Sequence, residues 1–359
     1  PDGRKYHLDN RLNDLTGREW TFFINSVFST HYPTSGKEAY AHHIRKIHPT
    51  PKPPQLMRDI IQFFTKENEL VFDIFMGVGG TLLGAALCNR TAAGIDLNQD
   101  YLTAYHAAAA ELGLEDFSTE CGDCLEILRD EEKMASLMSG KEISLLLFDP
   151  PYSNMMSKEK TGADIAVYGK TATPFSDSEK DLGNMERPIF LSKLRESVEL
   201  ALPYIKFRGY VVLFIKDLQP SKKEPNLLHA EVVNELNKIS NLYYKGMKIW
   251  ADESTKLYPY GYPFSFVANQ IHQYILVFRK EKCVQLTVMS NRRYKFEEGI
   301  QRSLSSVSVA PMRALSVVMD KPLVQILLKG LRALVEVFSE GNAEEFVQHV
   351  IFVRRKHQA

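Results

Sequence analysis

Val71-Phe-Asp-Ile-Phe-Met-Gly-Val-Gly-Gly80 runs from an apolar stretch into three glycines within four residues. The apolar part predicts a strand. Gly77 and Gly79 let the backbone turn and approach a ligand closely, and the helix predicted over 80–88 turns its first amides toward that ligand. Phosphate sites, dinucleotide sites and plain tight turns all use such a loop, so the turn alone selects none of them.

Outward from this turn, short apolar runs alternate with amphipathic stretches, the pattern of a sheet covered by helices. Strands are predicted over 70–75, 92–97, 118–122, 143–148, 209–215, 242–250 and 272–279. Helices are predicted over 54–65, 80–88, 100–112, 125–138, 189–205 and 227–239. The last two strands have no helical pattern between them and read as an antiparallel pair at the sheet edge. Gly94-Ile-Asp-Leu97 puts Asp96 at the tip of the strand after the glycine turn, where a carboxylate can accept both hydroxyls of a ribose. Asn98 and Asp100 compete for the helix-cap role that an acid there could otherwise serve. Leu145-Leu-Leu-Phe-Asp-Pro-Pro-Tyr152 ends another strand in a carboxylate, two prolines and an aromatic ring. The prolines fix the chain and remove backbone donors, leaving the Pro150 carbonyl to accept a hydrogen bond.

Phe75-Met-Gly-Val-Gly79 together with Asp149-Pro-Pro-Tyr152 resembles the DNA amino-methyltransferases, which move a methyl group from S-adenosyl-L-methionine to the exocyclic amine of adenine or cytosine. His48-Pro-Thr-Pro-Lys-Pro-Pro-Gln-Leu56 is similar to the family's His-Pro-x-x-Lys-Pro segment, and His272-Gln-Tyr-Ile-Leu-Val-Phe-Arg-Lys280 to its final core strand. The resemblance spans about residues 45–281. It implies an α/β, Rossmann-like methyltransferase fold: a seven-stranded, mostly parallel sheet with an antiparallel edge hairpin and a small C-terminal appendage. It further implies that Phe75, Gly77 and Gly79, with Lys52 and Asp73, hold the methionine half of the cofactor, that Asp96 holds its ribose, and that Asp123 accepts from its adenine amine. Asp149 and the Pro150 carbonyl would accept from the target amine, with Pro151 and Tyr152 completing the catalytic segment and Tyr152 stacking on the extruded base. Ile74 stands where the family usually has proline, and Val78 where it has a small polar residue. Adenine is expected over cytosine, because cytosine-modifying members generally carry serine in place of Asp149.

An aromatic amine is a poor nucleophile, since its lone pair is spread into the ring. Two acceptors aimed at its N–H bonds favour a pyramidal nitrogen with a localised lone pair. A paired base must leave the helix to reach them, at a cost of about a few kcal/mol.

The 359 residues suit one large domain with an appendage, or two modest domains. The expected division is an N-terminal arm over 1–50, the catalytic domain over 51–282, and a C-terminal recognition or accessory region over 283–359. That last region opens on Arg292, Arg293 and Lys295 and carries an apolar helical stripe over 322–338. Residues 153–187 are polar and read as a mobile loop. Lys plus Arg (44) balances Asp plus Glu (44), so attraction to a polyanion must come from a local patch. Double-stranded DNA is the expected partner, with a cognate nuclease or defence-system subunits possible, and no membrane. The four cysteines fit a reducing compartment, and a prokaryotic cytosol or nucleoid is the expected location. No metal is expected, because Cys121-x-x-Cys124 lacks a second pair. His42, His43 and His48 read as a polar surface, either near nucleic acid or merely solvated. The aromatic loop over 258–266 packs on the core or touches DNA. Two other functions remain open at this point, an RNA base methyltransferase and an inactive nucleic-acid-binding scaffold.

Overall fold

The computed structural model describes residues 7–153, 176–217, 219–220 and 225–281. The chain divides into two compact units, Pro1–Cys283 and Val284–Ala359. Everything expected of the second unit, and of residues 154–175, lies outside the described residues.

Eight strands form one sheet: β1 (Val27–Thr30), β2 (Leu70–Asp73), β3 (Thr91–Asp96), β4 (Ser118–Cys121), β5 (Ile143–Phe148), β6 (Ile205–Ile215), β7 (Leu242–Asp252) and β8 (His272–Lys280). Their order is β1-β7-β8-β6-β5-β2-β3-β4. The strand β8 runs antiparallel to both β6 and β7, as expected of the last two strands, but β1 lies outside β7, so the pair does not form the sheet edge. The expected count of seven is corrected to eight. The extra strand, β1, pairs in parallel with β7 from within residues that show no period.

The described helices are α1 (Gly17–Phe23), α2 (His42–Arg45), α3 (Pro54–Phe64), α4 (Gly80–Ala86), α5 (Gln99–Leu112), α6 (Cys124–Ile127), α7 (Glu131–Met138), α8 (Arg187–Ala201) and α9 (Leu228–Leu236). The single helix expected over 125–138 is two, because Asp130 accepts from the amides of Glu132 and Lys133 and starts α7 afresh.

The central strands are buried on both faces, and their side chains alternate between two cores. Val71, Leu145, Leu147, Val212 and Phe214 meet Leu56, Ile60, Leu82 and Tyr105 from α3, α4 and α5. Phe72, Leu146, Phe148, Val211 and Leu213 meet Leu125, Met134, Phe190, Leu194 and Val232 from α6 to α9. The result is three layers, helices on both sides of a mostly parallel sheet.

Strand order places the site. From β2 the chain moves outward through β3 to β4, then returns to lay β5 on the other side of β2. Connections leaving β2 and β5 therefore diverge, and the crevice at their carboxyl ends is where open α/β sheets bind ligands. The glycine turn follows β2, and Asp149-Pro-Pro-Tyr152 follows β5.

Candidate active site

Beside β2 the turn is tied down before any ligand arrives. Gly79 N–H donates to the Met76 carbonyl at 2.9 Å, and Met76 N–H to the Ile95 carbonyl at 2.9 Å. Gly77 and Gly79 have φ of 51° and 72°, the left-handed region that favours glycine. A Cβ on Gly79 would also come within 2.1 Å of Tyr105 Cδ2, so this glycine is demanded by the packing of α5. It lines neither of the site's cavities, whereas Gly77 lines one of them.

One cleft gathers Ile74, Phe75, Asp96, Leu97, Asp123 and Asp149 with Pro150, Pro151 and Tyr152. A neighbouring recess adds Lys52, Asp73 and Gly77, and His48, Phe75 and Asp149 line both. The sequence-predicted site residues other than Gly79 thus converge on one region.

Asp96 serves the turn as well as the cleft. One oxygen accepts from Gly77 N–H at 2.7 Å and the other from Asn98 N–H at 2.9 Å. Burial pushes its carboxyl up to about 6 despite these donors. Asp73 lies deeper, accepting from Phe75 N–H at 2.9 Å and from the Thr81 hydroxyl at 2.5 Å. Burial pushes it up to about 7. Asp123 caps α6 by accepting from Leu125 N–H at 2.9 Å while lining the cleft.

The raised Asp73 carboxyl makes stability depend on pH. Protonated Asp73 favours the fold fully below its ordinary value of 3.8, and that contribution is lost as pH rises through about 7. Asp73→Asn removes the cost of ionising it in place. The melting temperature of the variant relative to the parent is therefore expected to be higher at pH 8 than at pH 5, read by circular dichroism. A difference independent of pH would mean that Asp73 titrates in the fold much as it does in the unfolded chain.

Around Asp149 the contacts are close. Tyr152 hydroxyl donates to Oδ1 at 2.6 Å, and Lys52 Nζ approaches Oδ2 at 2.5 Å. Burial first, and the Asp149 charge second, hold the Tyr152 hydroxyl protonated well above its ordinary range. The same ammonium sits 5.0 Å from the centroid of the Phe214 ring.

Burial decides where three basic residues lie. His48 belongs to the cleft, not to a polar surface; burial and, secondarily, Lys52 hold its imidazole neutral, down to about 4. Arg45 is fully buried, donating to the carbonyls of Tyr40 at 3.1 Å and Lys52 at 2.9 Å. Lys52 itself turns inward to Asp149. The aromatic loop goes the other way: Tyr262, Phe264 and Phe266 are 81%, 93% and 93% exposed, so they do not pack on the core.

Residues 7–107 match a family model described as DNA methylase, of the N6/N4 type. The matched segment is less than a third of the chain. It includes the His48 to Leu56 segment, the glycine turn and Asp96. A Type II methyltransferase of Moraxella bovis is 39% identical over 59 residues, which are 16% of this chain and 23% of that protein. A tRNA (guanine(10)-N2)-dimethyltransferase of Pyrococcus abyssi is 28% identical over 104 residues, 29% of either protein. The chain thus spans less than a third of the length of either curated relative. Among solved structures, TrmN from Thermus thermophilus aligns with a TM-score of 0.40 at 14% identity, over 68% of this chain and 53% of that one.

The strand order is that of a Rossmann-like sheet, and the cofactor that the methylase match implies is S-adenosyl-L-methionine. The residues present fit it. Ile74, Phe75, Leu97 and Leu182 are apolar walls that would suit a purine, and Asp96, at the end of β3, and Asp123, two residues past the end of β4, would be acceptors for hydroxyls and an amine. Ile74, where the family usually has proline, is buried in the sheet core, and Val78 packs against Tyr101 and Ala104. Among the described residues no group of His, Cys, Asp or Glu could hold a metal, and no helix is long and apolar enough to cross a membrane.

Proposed function

We propose that the chain methylates the N6 amine of an adenine flipped out of double-stranded DNA, in a modification or phage-defence system. The observation that carries this reading is the position of Asp149-Pro-Pro-Tyr152 at the crevice where the glycine turn meets β5. The DNA methylase match over residues 7–107 supports DNA as the substrate class.

When bound, the cofactor supplies a methyl group on a positively charged sulfur. The chain's part is to hold the amine and meet the charge that develops on it. The Asp149 carboxylate and the Pro150 carbonyl are the acceptors for the two N–H bonds, and such preorganised acceptors stabilise a developing cation most in a site that excludes water. Tyr152 and the cleft's apolar lining replace the stacking that an extruded base gives up. Asp96 and Asp123 bind the nucleoside part of the cofactor, while Phe75, Gly77 and Asp73 shape the recess for its other end. We assign recognition of the DNA to residues 283–359.

Nucleoside digests of DNA from a methylation-free host expressing the protein, analysed by mass spectrometry, are expected to contain N6-methyladenine. N4-methylcytosine would reverse the choice of base. The partial similarity to a tRNA methyltransferase makes RNA the other outcome to watch: methylated RNA with unmodified DNA would move the substrate class.

A further inference from the structure

Lys52 lies in the segment whose resemblance assigns it to the cofactor, yet its ammonium is spent on Asp149. The two side chains are 9% and 17% exposed, and Nζ lies 2.5 Å from Oδ2. Such a contact in a nearly dry site is a charge-assisted hydrogen bond with a defined direction. The backbone behind it is held as well. Buried Arg45 donates to the Lys52 carbonyl at 2.9 Å, and a Cβ on Gly80 would come within 2.8 Å of that same oxygen. Glycine at the start of α4 thus admits the Lys52 backbone to close contact. Pro51 and Pro53 restrict the chain on either side.

Asp149 is therefore gripped twice, Oδ2 by Lys52 and Oδ1 by the Tyr152 hydroxyl. Two grips on different oxygens fix the rotation of the carboxylate, which otherwise turns broadly about its last torsion. Each oxygen offers two acceptor sites, so one site on Oδ1 remains in a fixed direction for an incoming donor. We propose that Lys52 is a positioning residue for the methyl-transfer reaction: it sets the orientation of Asp149 toward the target amine and does not bind the cofactor. This rests on the function proposed above.

The test compares the parent protein with Lys52→Met, which keeps length and loses charge, and Lys52→Arg, which keeps charge. Transfer of a labelled methyl group from S-adenosyl-L-methionine to duplex DNA is measured across DNA concentrations, and cofactor affinity by calorimetry on the same samples. Lys52→Met is expected to lower kcat about 30-fold, the scale set by misplacing a reacting group by a fraction of an ångström. KM for DNA and cofactor affinity should stay within about threefold, and Lys52→Arg should recover most of kcat, because it restores a charged donor to the carboxylate. If Lys52→Met does not fold, Lys52→Gln carries the same comparison. A loss of cofactor affinity with kcat intact at saturation would overturn the assignment and return Lys52 to the cofactor site. A kcat loss that arginine does not repair, with a lowered melting temperature, would reduce it to a structural role. Failure of the underlying function shows elsewhere, as a parent protein that methylates no DNA.

Discussion

Asp149→Ala is expected to bring methyl transfer to below about one-thousandth of the parent rate, because removing one preorganised stabilising group costs about two to three orders of magnitude and this group also places the amine. Cofactor binding should survive, since Asp96, Asp123 and the glycine turn are untouched. The fold will feel the change through Lys52, whose ammonium is left without its carboxylate at 9% exposure. Removing one partner of a buried pair costs about 3 to 5 kcal/mol when the survivor cannot reach water, and less where it can. Melting curves must therefore accompany the rate measurement. Asp149→Asn retains an acceptor oxygen and is expected to fall between parent and alanine in both rate and stability. Substantial transfer by a folded Asp149→Ala protein would place activation of the amine on the Pro150 carbonyl or outside this segment.

The second large effect is expected at Asp96. Asp96→Ala removes the acceptor proposed for the ribose and also unties Gly77 and Asn98, whose amides it now holds at 2.7 and 2.9 Å. A hydrogen bond to a charged group is worth about 1.5 to 3 kcal/mol, so cofactor affinity should fall about 10- to 150-fold. Proton linkage provides a second signature. Burial raises the Asp96 carboxyl to about 6, so its ionised form is depleted as pH drops through that value, and affinity for the cofactor should weaken there. Asp96→Asn should bind more weakly at neutral pH and show no such inflection. Calorimetry at several pH values reads both effects. Unchanged affinity in a folded alanine variant would take Asp96 out of the site.

The parts of the molecule legible in the sequence were those whose burial is two-sided or strictly periodic. β5 is apolar from Ile143 to Phe148 apart from Ser144, and it forms with those bounds. Tertiary pairing, not local pattern, extends β6 back to Ile205, where it meets Ile143. β1 escaped because its four residues alternate only between exposed and half-buried, a signal too short and too weak to separate from a loop. Asp96 and Asp149 could be found because an acid at the end of an apolar strand is a local feature. The pairing of Lys52 with Asp149 joins residues 97 positions apart and has no local mark. Nor could a histidine and an arginine in a polar stretch announce burial. Arg45 is held by the carbonyls of Tyr40 and Lys52, which only the folded backbone brings to it.

The position of β1 bears on the order in which the chain can assemble. Val27 and Phe28 pair with Ile249 and Trp250, and the indole of Trp250 donates to the Thr30 hydroxyl at 2.7 Å. Helix α1 leans on the same region, Phe23 stacking on Phe63 with ring centroids 4.0 Å apart. During synthesis residues 27–30 leave the ribosome long before residues 249–252 exist, so a strand made early waits for a partner made late. Until then the segment has only α3 to rest on, and β7, once made, presents an open edge until β1 arrives. Open edges are templates for pairing between chains. Closing contacts this distant in sequence is also slow. The segment with no period in the sequence thus shortens the open edge of the finished sheet from the 11 residues of β7 to the 4 of β1.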